Sequence, residues 1–104
     1  MYNIKVQLLR IVDFSDFPGW VEFNLIDAWG NSHLFCDKIP VVTCENIDLD
    51  SSFPRDGFLR CELLEEWTDD KGRKIVTVST ENPDHVDSVD GVNKFDLLPG
   101  QPTE

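Results

Sequence analysis

The chain has 104 residues, 40% of them hydrophobic and 11% aromatic, and nine Lys and Arg stand against 20 Asp and Glu for a formal charge of −11. That length matches one ordinary domain, and the large side chains suffice for a core, which excludes a disordered chain. The charge repels phosphate, so sequence-independent nucleic-acid binding and adhesion to an anionic membrane surface both lack their usual driving force.

No stretch of the sequence approaches the about 18 consecutive apolar residues of a membrane span. The opening residues, MYNIKVQLLR, lack a basic region followed by an apolar run and a small-residue cleavage site, so a cytoplasmic protein is expected.

Asn3–Val12 alternates Ile4, Val6 and Leu8 against Lys5 and Gln7, then shifts phase so that Leu9 and Ile11 become the apolar set. The spacing predicts a strand with a bulge near Leu9. Asp13–Gly19, read as DFSDFPG, predicts a turn. Trp20–Trp29 is expected as a long strand, with Val21, Phe23 and Leu25 on its dry face, and Trp29, Gly30, Asn31 and Ser32 turn it into a partner over His33–Ile39. Pro40 interrupts, and Val41–Cys44 is expected to resume as a short strand. Glu45–Asp56 reads as a polar connection whose Ile47, Leu49 and Phe53 pack back onto the body, with room for one short turn of helix.

Gly57–Trp67 is the second long strand, with another phase shift around Leu63 and Leu64. Thr68–Gly72 is a turn, and Arg73–Thr80 is a strand rich in the β-branched residues that suit a pleated surface. Glu81–Asp90 is acidic and turn-like, Asp90-Gly91 is a tight turn, and Lys94–Leu98 is a last short strand. The pattern predicts an all-β fold, a small single-domain antiparallel β-barrel of six or seven hairpin-rich strands over residues 1–98, followed by a flexible tail over 99–104. A β-sandwich is the alternative. The strand-rich layout resembles in a general way the small β-barrels attached to translation GTPases, a likeness without a motif, which implies a barrel and no activity.

Cys36, Cys44 and Cys61 are odd in number, far apart and set in apolar stretches, so reduced thiols packed in the core are expected. His33 and His85 are the sole imidazole bases, and residues three apart on a strand face opposite ways, so His33 and Cys36 do not form a nucleophile and base. No activated serine turn, phosphate-cradling glycine loop or Cys-x-x-Cys pair occurs. Asp84, His85, Asp87 and Asp90 do not follow a calcium-loop pattern and read as a solvated loop. No catalytic residue, metal site or cofactor is expected.

Trp20, Trp29 and Trp67 fall near strand ends beside Asp13, Asp16, Asp27 and Glu66. Such an acidic, aromatic surface suits Lys and Arg side chains of a partner, through ion pairing and cation–π contact. The expected function is a non-catalytic acidic module that binds a basic protein, in the manner of an immunity-type inhibitor. One alternative is a metal- or small-ligand-binding barrel, possibly enzymatic in class, with an internal site near His33. Another is a structural subunit that self-associates through a strand edge.

Overall fold

In the computed structural model, which describes residues 1–15 and 17–104, half of the residues lie in strands and four form a single helical turn. The strands are β1 (Tyr2–Asp13), β2 (Trp20–Ile26), β3 (Ser32–Lys38), β4 (Arg55–Thr68), β5 (Lys74–Ser79), β6 (Lys94–Leu97) and β7 (Pro102–Thr103), with α1 (Ile39–Val42) after β3. Every pairing is antiparallel, in the order β3-β2-β1-β4-β5-β6, and β7 adds to β1. The all-β, hairpin-rich expectation holds, and the sheet curls into a half-barrel.

β4 produces the curl. Its first half, Arg55–Cys61, pairs with β1, and its second half, Glu62–Thr68, pairs with β5, so the two ladders are staggered along one strand. Register shifts between Leu8 and Arg10 on β1, and between Leu63 and Glu65 on β4, place bulges at the two predicted phase changes. Each bulge bends its strand and increases its twist. The stagger also elongates the molecule, to 47 × 25 × 23 Å.

Period-2 alternation sends Ile4, Val6, Leu8, Val21, Phe23, Leu25 and Leu59 to the interior, where all are buried. Phe23 stacks on Phe35 with ring centroids 5.0 Å apart. Each such side chain contributes about 1.5–3 kcal/mol by leaving water. No ladder joins the outer strands β3 and β6. Packing and loop amides join them instead: Phe95 meets His33 at 4.9 Å and Phe35 at 5.6 Å, Ala28 N–H donates to the Asp96 carbonyl, and Val89 N–H donates to the Leu34 carbonyl, both at 2.8 Å.

Several expectations are corrected. Val41–Cys44 is not a strand: Ile39–Val42 forms α1, because the fixed φ of Pro40 suits a first helical turn and Thr43 N–H closes it onto the Ile39 carbonyl at 3.2 Å. β2 stops at Ile26 rather than Trp29, because Asp27 Oδ1 accepts the N–H groups of Trp29 and Asn31, both at 2.9 Å, and pulls those residues into a turn. Ile47 and Phe53 pack against the core, but Leu49 is 71% exposed. Cys61 is buried, while Cys36 and Cys44 are exposed.

The segment 99–104, expected as a flexible tail, returns to the sheet. Pro102 is buried and pairs opposite Ile4, and Gln101 Nε2 donates to the Ile26 carbonyl at 2.8 Å. No helix among the described residues is long and apolar enough to cross a membrane.

Candidate functional site

The residues singled out from the sequence fall at two ends of the molecule. β2 runs from Trp20 to the turn that carries Asp27 and Trp29, and its seven residues separate them by about 20 Å.

At the Trp29 end, Trp29 and Trp67 lie 6.5 Å apart between centroids, and the Arg73 guanidinium sits 4.9 Å over the Trp29 ring. Arg73 Nε donates to Asp69 Oδ2 at 2.9 Å. Trp67 Nε1 donates to Thr77 Oγ1 at 2.9 Å, and that hydroxyl donates to Asp96 Oδ1 at 2.7 Å. Asp27 lies behind, its Oδ2 2.8 Å from His33 Nε2. Burial pushes the Asp27 carboxyl up, but His33 and the N–H groups of Asn31 and Trp29 together outweigh burial and hold it below its ordinary value.

This end combines aromatic groups with Asp27, Asp69 and Asp96, of which the sequence singled out Asp27 alone, and the cation over the Trp29 ring is the protein's own. The cluster clamps the β2–β3 turn to the β4–β5 hairpin. Glu66 makes no ion pair in the cluster: it is the neighbour of Trp67 on β4, where successive side chains face opposite ways, and it lines a cleft with Trp67, Lys74 and Pro99.

At the other end, Trp20 pairs opposite Asp13 on one side and Lys38 on the other, and Lys38 Nζ stands 5.9 Å from the Trp20 ring centroid. The Ser15 hydroxyl, and then its N–H, hold the Asp13 carboxyl below its ordinary value. Asp16, from the same turn, lies outside the described residues.

The feature that sequence reasoning missed is the pair Phe14 and Phe17. Phe17 is 98% exposed and Phe14 is 41% exposed. Both line a cleft of about 540 Å³ between the β1–β2 turn and the segment after β3, with Pro18, Ile39, Pro40 and Ile47 as apolar walls and Glu45 and Asp48 among its polar groups. The signal was present: two phenylalanines stand inside an Asp, Ser, Pro and Gly turn, where backbone chemistry asks for neither. Gly19 locks the turn in place. Its φ is +83°, a Cβ there would meet Phe14 Cδ1 at 2.8 Å, and its carbonyl accepts the Ile39 N–H at 3.1 Å.

All four arginines are committed within the chain, Arg10 to Glu22, Arg55 to Glu45, Arg60 to Asp84 and Arg73 to Asp69, and Lys5 is paired with Asp56. At the Phe17 end, Asp48 lines the cleft and Asp13 precedes Phe14, and neither has a Lys or Arg ion-pair partner among the described residues, whereas Glu45 in the cleft wall is paired with Arg55. Burial raises the Cys61 thiol to about 11, which leaves it an inert core group. No set of three or more His, Cys, Asp or Glu side chains among the described residues is placed to hold a metal ion.

No protein-family model matches this chain, and neither a curated protein nor a solved structure matches it.

Proposed function

We propose that the protein is a non-catalytic binding module that docks on a basic protein through its Phe17 end, as an immunity-type inhibitor covers a cationic surface. The observation that carries this reading is the 98% exposure of Phe17 at the mouth of an apolar cleft. Leaving a phenylalanine ring in water forgoes about 1.5–3 kcal/mol, which a pocket on a partner recovers. Apolar anchors of this kind slow dissociation, and the unpaired carboxylates around them speed association with a positive surface.

A standard interface takes about 800 Å² from each partner. That is a modest part of the 6320 Å² surface, so one end of the molecule suffices. Among the alternatives, strand-edge association is less favoured, because amides of neighbouring loops already cap carbonyls on β3 and β6.

The test is capture of partners from the native host's lysate on immobilised full-length protein, repeated with Phe17→Ser, with Asp48→Asn and with Leu64→Ser as an exposed control elsewhere. The expected result is a basic protein whose retention falls at least tenfold with Phe17→Ser, which elutes at lower salt from Asp48→Asn and is unaffected by Leu64→Ser. Retention indifferent to Phe17→Ser overturns the reading.

A further inference from the structure

The Phe17 cleft does not end at the turn. Pro40, Thr43, Cys44 and Glu45 line it and also line a second cleft of about 470 Å³, which extends over Asn3, Phe58 and Arg60. Phe58 is shared in turn with a third cleft of about 520 Å³ that reaches past Lys5 to Ile26 and Gln101. The floor of this track is the outer face of β1 and β4, where Asn3 pairs opposite Arg60, Lys5 opposite Phe58 and Gln7 opposite Asp56. Their neighbours in sequence, Ile4, Val6 and Leu59, point inward and are buried.

A half-open antiparallel sheet places polar residues on its wet face. Phe58 breaks that rule: it is 51% exposed at a paired position between β1 and β4. In the third cleft, the side-chain carbonyl of Asn24 is covered and has no hydrogen-bond partner among the described residues.

We infer that this track receives an extended segment of the basic partner, a deeper form of the docking proposed above that rests on the Phe17 end being the docking surface. β1 runs eight residues from the Asp13 end to the Lys5–Phe58 rung, about 26 Å, which an extended segment of about eight residues spans. The charges set its polarity. Along the middle of the track, Lys5 with Asp56, Arg55 with Glu45 and Arg60 with Asp84 are neutral pairs, so an apolar side chain belongs over Phe58. Beside the Phe17 cleft, Asp13 and Asp48 lack basic partners, so the Lys or Arg residues of the segment belong there.

The test is selection of a phage-displayed random dodecapeptide library on the full-length protein, followed by titration of fluorescently labelled copies of the enriched peptides. Enrichment of peptides that join Lys or Arg to an apolar anchor is expected. Their affinity falls at least tenfold with Phe58→Asp and with Phe17→Ser, survives Phe58→Tyr and the exposed control Leu64→Asp, and is lost when the peptides are halved. A melting curve of Phe58→Asp that matches the parent's separates a lost contact from a variant that fails to fold. Peptides sensitive to Phe17→Ser but not to Phe58→Asp overturn the track and leave the docking end standing. Indifference to both overturns both, and no enrichment overturns the track.

Discussion

Asp27 carries more of the fold than its short side chain suggests. One oxygen ends β2 by accepting two backbone N–H groups, and the other holds His33 beside Phe95, at the junction of the outer strands. Hydrogen bonds to a charged group contribute about 1.5–3 kcal/mol net and are not additive when they share one carboxylate, so Asp27→Ala is expected to cost about 2–4 kcal/mol. Because its pKa is lowered in the folded state, Asp27 stabilises fully above the unfolded value of about 3.9, and that contribution is lost as pH falls through the lower folded value. Asp13 and Asp69 are lowered as well and act in the same direction. The thermal midpoint should therefore fall between pH 5 and pH 3, and fall less in Asp27→Asn. Melting curves at the two pH values check this, and an equal drop in the variant would remove Asp27 from the acid response. In the sequence, Asp27 stood out as an acid beside Trp29, not as a cap. The distinction depends on where its carboxylate points, and a strand-to-turn boundary is set by that hydrogen bond rather than by apolar alternation.

At the level of elements, β7 shows how a weak local signal becomes structure. Pro99, Gly100 and Pro102 read as chain that cannot hold a strand, and in isolation two residues would not. β7 forms because β2 pairs with β1 only from Gln7 onward, which leaves the Asn3 and Ile4 edge free on that side. Ending the chain at Leu98 removes this pairing, the burial of Pro102 and the Gln101 bond to Ile26. The expected cost is about 1–3 kcal/mol, read as a lower urea midpoint, and an unchanged midpoint would show that the segment adds nothing. α1 is a similar case. Val41 and Val42 favour a strand by propensity, but Pro40 and the burial of Ile39 and Val42 on one side of a single turn favour the helix.

For the whole molecule, the excess of acid is spread unevenly. The arginines neutralise carboxylates along the barrel and at the Trp29 clamp, while carboxylates without a Lys or Arg partner among the described residues stand beside the exposed Phe17, at Asp13 and Asp48, and also beside the exposed Leu64, at Glu62, Glu65 and Glu66. The Debye length shrinks from about 10 Å at 0.1 M salt to about 3 Å at 1 M. Association with the basic partner is therefore expected to slow at least tenfold between 0.05 M and 0.5 M salt, while dissociation, governed by Phe17 and its cleft, changes little. Stopped-flow binding against salt separates the two rates, and an association rate flat in salt would count against the electrostatic part of the proposal.

The six longer strands, their antiparallel hairpins and two of the three register shifts were legible in the sequence, because inward and outward residues alternate with a period of two and a phase slip between Leu8 and Leu9, or between Leu63 and Leu64, is a local fact; the shift between Ile11 and Asp13 and the short β7 left no such pattern. The large aromatic residues near strand ends were legible for the same reason. Only the tertiary structure decided which of them act together. Trp29 meets Trp67 and Arg73 because the staggered ladders on β4 swing one hairpin over the other, and Trp20 is left about 20 Å away, beside the turn that exposes Phe17. Pairing across distant strands, and the choice of which cation satisfies which ring, depend on sheet curvature, a collective property that no single stretch of the sequence carries.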